Sequence, residues 1–438
     1  MAADRSPAEP RRLYTWLQAP VVSVAIISIA SGFGQFGAVA ALGDVAEVFG
    51  EATSGATVAE QAGLSGTVLG VGLAVIRLAS LGAMPLAALA DRRGRTSVLL
   101  GCAAVGLALV ALGALSPGYW WFVAAFALSR PFLSATNALA QVVAGEHTAA
   151  SDRARAVALV AAGYGFGAAL VAVVRGLVPS SFGFRGTFAL AAVPLVLIPI
   201  LARWMVEPDR YRSGSGWSVG VRADEDLPPD RQTQARRSGL HDLGPIGSSR
   251  LVAMLAIAFA ASFVTGPANS FVFVFAEGIL DISAGVTAAL LVAAVPVGLS
   301  GLALGRWGAD RWGRRPTAAV ALAGIAMAAM LTYVGGLATT ITGALLAVLF
   351  GYAFAPTIAA LANELFPTAV RGRVAGWLVA TGVVGAVAGL LVFGAMADFL
   401  DGFAAAAVVV SIPAFLVAPV LFRLPETKGK ELEESSAS

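Results

Sequence analysis

The sequence predicts an all-α integral membrane protein, with twelve transmembrane helices arranged as two pseudo-symmetric six-helix bundles. Three observations carry this expectation. Of 438 residues, 58% are hydrophobic and only 13% are charged, against about 25% charged in a soluble domain; a surface so poor in charge must be covered largely by lipid. The apolar residues come in long runs, and a helix needs roughly 20 of them to cross the hydrocarbon layer. The basic residues gather between those runs, on alternate sides.

The runs show no period-2 alternation and are too long for barrel strands. Helices satisfy their backbone polarity within each span, which lipid requires. The runs fall at roughly 20–42, 63–89, 97–115, 119–144, 156–178, 184–204, 249–275, 284–307, 317–336, 339–362, 374–397 and 403–423. The first is too long for the apolar core of a cleavable signal, so it is expected to be retained as a span. The 50 glycines suit close helix packing.

With the N-terminus inside, the inside segments hold Arg5, Arg11 and Arg12, then Arg92, Arg93 and Arg95, Arg153 and Arg155, a basic central loop, Arg311, Arg314 and Arg315, Arg371 and Arg373, and Lys428 and Lys430. The outside segments hold mostly acids: Asp44, Glu47, Glu51, Glu60, Glu277, Asp281, Asp398 and Asp401, with Arg185 the main exception. The positive-inside rule then places both termini in the cytoplasm, and a bacterial inner membrane is the expected home. The arginines become topological anchors, so the net charge of +3 implies no nucleic-acid partner. Ser, Gly, Pro and mixed charge mark 209–247 as a flexible linker. It separates a bundle at 20–208 from one at 248–424, with tails at 1–19 and 425–438.

The two halves repeat one another. ADRRGR at Ala90–Arg95 matches ADRWGR at Ala309–Arg314, and in both halves a glutamate, Glu146 or Glu364, is followed seven residues later by Arg-x-Arg. Glu207 and Glu426 close the two copies at nearly the same offset. On these residues the chain resembles the major facilitator superfamily. D-R-x-G-R, here Asp91, Arg92, Gly94 and Arg95 and again Asp310, Arg311, Gly313 and Arg314, is similar to that superfamily's loop signature. Glu364, Pro367, Arg371 and Gly372, with PETKG at Pro425–Gly429, resemble its sugar-porter branch. The resemblance implies alternating access. It also implies a cytoplasmic gate network of Asp91, Arg92, Gly94, Arg95, Glu146, Arg153, Arg155, Glu207, Asp310, Arg311, Gly313, Arg314, Glu364, Arg371, Arg373 and Glu426. Such a network holds the halves together when the cavity faces outward. The sugar porters' glutamine-rich seventh span and mid-helix aspartate of span one are absent, which argues against a hexose.

Charge inside a span marks a functional site by default. Arg77 falls mid-span in span two and Arg130 in span four. Arg130, Ser134, Asn137 and Gln141 are spaced four, three and four apart, hence on one helix face. That face either lines a substrate cavity or makes interhelical hydrogen bonds. The second half offers Ser262, Thr265 and Asn269, where Gly266-Pro267 suggests a broken or kinked helix, and Tyr352. Arg175 is expected to snorkel to the outer surface, and Asp44 and Glu277 to be solvated there.

The expected function is secondary active transport of a small organic solute, an organic anion by the charge of Arg130. No carboxylate lies mid-span, so coupling falls to a proton carried by the substrate, to exchange, or to an end-placed acid such as Asp44. Alternatives are proton-coupled sugar uptake, multidrug efflux and, in another class, a non-transporting receptor. No catalytic motif, cofactor or metal set appears in the sequence, and Cys102 stands alone. The expected partners are the substrate, the bilayer and protons, with the chain acting as a monomer.

Overall fold

The computed structural model describes residues 15–50, 63–149, 152–177, 183–205 and 244–428. Among the described residues the structure is helical, and the helices occupy all twelve positions expected from the sequence. Spans one to six are Ala19–Ala40, Gly66–Arg93, Arg95–Leu115, Tyr119–Glu146, Arg153–Leu177 and Gly183–Ala202. Spans seven to twelve are Gly247–Ile279, Ala284–Arg311, Arg314–Tyr333, Leu337–Leu365, Val370–Phe399 and Phe403–Arg423.

Eleven of these are long and apolar enough to cross a membrane. The twelfth, span four, has the length at 28 residues, but Arg130, Ser134, Asn137 and Gln141 dilute its apolar content. Span two is interrupted by a 3-10 turn at Ser80–Gly82, just after Arg77. Span seven runs unbroken as an α-helix from Gly244 to Val274, through Pro267. Of the broken or kinked helix expected at Gly266-Pro267, the break is not seen; an irregular turn, a π-helix, falls at Phe275–Ile279. A short helix at Leu42–Phe49 follows span one and was not expected.

The internal repeat is visible in the packing. In the first half, span five crosses span one at a glycine: a methyl at Gly167 would lie 1.9 Å from the Ile29 carbonyl oxygen. In the second half, span eleven crosses span seven the same way, with Gly389 2.0 Å by the same measure from the Phe263 carbonyl. Both are small-residue crossings in which backbones pack directly. Two buried clusters follow, one centred on the first half and reaching into spans seven, eleven and twelve, one within the second half.

The two ends of the bundle differ in charge: one carries the D-R-x-G-R loops, the other the acids. The halves approach each other toward the acidic end. There Gly66 and Gly70 of span two meet Gly394 and Leu390 of span eleven, and Gly176 of span five meets Gly285 of span eight. Toward the basic end the second piece of span two, Ala83–Arg93, packs on spans three and four of its own half.

Candidate functional site

Three groups of polar side chains lie along the axis between the halves and at their ends. The central one is built on spans one, two, four and five. Gln35, buried in span one, donates through Nε2 to Ser31 Oγ and to the Leu133 carbonyl of span four, both at 3.1 Å. Arg130 Nη1 donates to the Gln35 carbonyl (3.1 Å) and Ser134 Oγ to Gln35 Oε1 (3.4 Å). Arg130 interacts electrostatically with Arg77 and with Tyr164 of span five; Tyr164 in turn interacts with Arg77 and with Tyr352 of span ten.

What the centre lacks is a carboxylate. Among the described residues neither Arg77 nor Arg130 forms an ion pair, and the Nε of each is buried without a hydrogen-bond partner, as is Oδ1 of Asn137. Gln141 is half-buried further along the same helix. In the second half Thr265 is satisfied by its own helix, donating to the Ala261 carbonyl (2.8 Å). Asn269 is exposed, and Tyr352, 48% exposed, lies over Gly298 of span eight. The centre is thus two guanidiniums, amides and two phenols.

The second group lies at the basic end and is duplicated. In the first half Arg95, 5% exposed, donates through Nε and Nη2 to Asp91 Oδ1 (3.1 and 2.9 Å) and through Nη1 to Glu146. In the second half Arg314 Nε grips both oxygens of Glu364 (3.2 and 3.1 Å), and Asp310 lies 3.9 Å from its Nη1. Gly94 and Gly313 precede these arginines with φ of 103° and 109°, a left-handed backbone open to glycine at little cost. At Gly313 there is a second reason: a side chain there would strike the Glu426 carboxylate at 2.7 Å.

Glu426 accepts from the backbone N–H of Arg314 (2.8 Å) and Arg315 (3.3 Å), at the start of span nine, and from Arg315 Nε (3.3 Å). Burial pushes its carboxyl up, but the N–H groups of Arg314, Arg315 and Lys428 and the Arg315 guanidinium outweigh this and hold it below the ordinary carboxylate range. Thr427 donates to Glu364, and Lys428 Nζ to the Arg311 carbonyl (2.8 Å). PETKG therefore ties the end of the second bundle to its own loop motif. Glu207, the partner of Glu426 in the repeat, lies outside the described residues.

The other arginines of this group are placed around it rather than in it. Arg153 donates to the Gly145 carbonyl (3.1 Å), Arg155 pairs with Asp152 (3.4 Å), and Arg371 donates to the Phe366 carbonyl (3.3 Å). Arg311 sits over the Trp307 ring, and Arg92 and Arg373 are exposed.

The third group, at the acidic end, corrects the sequence reading. Arg175 does not snorkel, and Asp44 and Glu277 are not simply solvated: the side chains are 6%, 26% and 9% exposed. Arg175 donates to Asp44 from Nε (2.6 Å) and Nη2, to Glu277 from Nη1 (2.8 Å) and Nη2 (2.6 Å), and to the Ala40 carbonyl (2.6 Å). Beside it, Asp398 of span eleven caps span two, accepting from the backbone N–H of Gly66 (2.7 Å) and Thr67 (2.8 Å) and from Thr67 Oγ1 (2.5 Å). Both clasps join one half to the other. Gln35, Tyr164, Glu277 and Asp398 were not picked out as site residues from the sequence; the lone amide of span one was the available signal for Gln35.

Two six-helix halves, a polar centre and ion pairs at both ends are the build of a membrane transporter. The chain belongs to the Major Facilitator Superfamily, whose model matches residues 24–355 and 292–437. No curated protein matches this chain by sequence. Among solved structures it is similar to the inward open conformation of the xylose transporter XylE from E. coli, at TM-score 0.72 and 19% identity, covering 95% of this chain and 98% of that one. It is similar also to a D-xylose-proton symporter (TM-score 0.70, 20% identity, 94% and 99% covered). A third is a bacterial homologue of the human lysosomal transporter Spinster, inward-facing and occupied (TM-score 0.67, 14% identity, 92% and 95% covered). At these identities the likeness shows the fold.

Proposed function

We propose that this secondary transporter moves a small organic anion by alternating access, and that Arg130 and Arg77 hold the anion's charge. The observation that carries the reading is the uncompensated positive centre. Charge in the middle of a helical span costs about 2.5–3.5 kcal/mol on insertion scales. Here two guanidiniums stand without a carboxylate between halves that must separate and close. A carboxylate substrate would supply the missing acceptors, bidentate to either arginine. Asn137, Gln141, Thr265, Asn269 and Tyr352 are the proposed lining around it.

The positive-inside rule assigns the basic end to the cytoplasm. The halves touch toward the acidic end, so this state opens to the cytoplasm. In the outward-facing state the Asp44–Arg175–Glu277 and Asp398 clasps must open, and the loop motifs at the basic end must bring the halves together there. The cycle is a two-state rocking of one half on the other. Asp44 and Glu277 share one guanidinium, so a proton taken up there would loosen the clasp; this is the proposed coupling point.

The test is uptake into liposomes of labelled organic acids, sugars and cationic dyes, with and without a pH gradient. The expected result is saturable anion uptake reduced roughly tenfold to a hundredfold by Arg130→Ala, from the loss of a charge-assisted pair of about 1.5–3 kcal/mol. Uptake of sugars or cations alone, or anion uptake unchanged in the variant, removes Arg130 as the anion's partner.

A further inference from the structure

A separate basic groove lies at the cytoplasmic end of the second half, between the start of span seven, the start of span nine and the end of span twelve. It encloses about 790 Å³ and opens outward. Arg250, Arg315 and Arg423 line it, with Ser249 and the apolar walls of Val252 and Val420. Spans nine and twelve pack within their own half, so this groove is remote from the centre that holds Arg77 and Arg130.

The charges do not balance. Arg315 is engaged by Glu426 (3.3 Å) and by the carbonyls of Phe422 (3.1 Å) and Leu424 (2.5 Å). Arg250 is 8% exposed yet has no hydrogen-bond or ion-pair partner among the described residues. Arg423 is exposed and likewise has none. Three guanidiniums therefore face one carboxylate. A buried cation without a partner is costly. This one sits at the edge of a groove whose other lining is largely apolar, Val252, Ala253, Ala256 and Val420, with Val252 66% exposed.

We propose that this groove binds the phosphate head group of an anionic glycerophospholipid from the cytoplasmic leaflet. Phosphate oxygens match the guanidinium fork of Arg250, with Arg423 above it at the interface. The glycerol and the start of an acyl chain follow Val252 and Val420 into the hydrocarbon. Basic clefts between spans on the cytoplasmic side are suited to such head groups. The proposal does not rest on what the central cavity carries.

The experiment is native mass spectrometry of the full chain in detergent, titrated with phosphatidylglycerol, phosphatidylcholine, glycerol 3-phosphate and inorganic phosphate. It compares the wild type with Arg250→Gln, Arg250→Lys, Arg423→Gln and a chain ending at Lys428. The expected result is one retained phosphatidylglycerol per chain, preferred over phosphatidylcholine. It should be weakened roughly thirtyfold by the two Gln changes together, at about 1 kcal/mol per arginine, and partly restored by Arg250→Lys. Because Arg423 is exposed, Arg423→Gln should fold normally and lose part of the binding, which keeps the test valid if Arg250→Gln misfolds. Equal retention of the two lipids, or retention unchanged by Arg423→Gln and Arg250→Gln, overturns the proposal. Binding of inorganic phosphate as tight as that of the lipid leaves a free-phosphate site and overturns the lipid. Lipid binding that appears only in the truncated chain shows that the acidic tail, Glu431 to Glu434, is the occupant instead.

Discussion

The two ends of the bundle hold the same kinds of side chain in opposite ways. At the basic end, Arg95 binds Asp91 and Glu146 inside the first half, and Arg314 binds Glu364 and Asp310 inside the second. At the acidic end, Arg175 binds Asp44 of its own half and Glu277 of the other, and Asp398 reaches across to span two. Under the proposed alternating access, pairs within a half would move with it. Pairs across the halves would have to be remade each time the cavity changed sides. On that reading the difference separates charges that hold each half together from charges that hold one half to the other.

The largest effect expected from breaking this contrast comes from Arg175→Ala. It leaves Asp44 and Glu277 facing each other in a poorly hydrated site, and removing one partner of a buried pair costs about 3–5 kcal/mol. Only the state described here bears that cost, so the population should shift outward. Spin labels at Val48 and Val286, exposed at the acidic end, should report a longer distance; an unchanged distance would mean the clasp does not set the state. Glu277→Gln keeps a neutral acceptor and should shift the same distance by less, about 1.5–3 kcal/mol for a hydrogen bond to a charged group. Asp398→Asn removes the charge from a helix cap, worth about 0.5–2 kcal/mol, and should give a smaller shift in the same direction. Equal or larger opening than in Arg175→Ala would reverse the ranking of the two clasps.

The smallest effect is expected at the other end. Glu426 is held below its unfolded value, so its contribution is fully present above that value and is lost as pH falls through the lower, folded value. As pH falls below the ordinary carboxylate range wild type should lose thermal stability that Glu426→Gln has already lost, and the spin-label distance should not change with it. A distance change in step with Glu426 protonation would show that this pair crosses states after all.

The span positions were readable because lipid imposes a length and a polarity on every helix. The repeat was readable because ADRRGR and ADRWGR stand in equivalent loops. Arg130, Ser134, Asn137 and Gln141 stood out because four polar groups at helical spacing have few places to go in a membrane. The acidic-end clasp was not readable. Asp44, Arg175 and Glu277 are far apart in sequence, and each alone looks like a residue at a helix end meeting water. Only the approach of span five to span seven and the short helix after span one turns three surface charges into one buried group. Pro267 marks no break: the helix around it is continuous, and the irregular turn falls eight residues later at Phe275.

The contact of span two with span eleven has a mechanical consequence. A methyl at Gly394 would lie 2.2 Å from the Gly66 carbonyl oxygen, and one at Gly70 2.6 Å from that of Leu390. Where side chains interlock, two helices slide in steps, each step lifting knobs out of holes. Here peptide planes rest on peptide planes, and there are no teeth to disengage. A contact of this kind can part and close again as flat faces do, which leaves the choice of end position to the charged latches beside it.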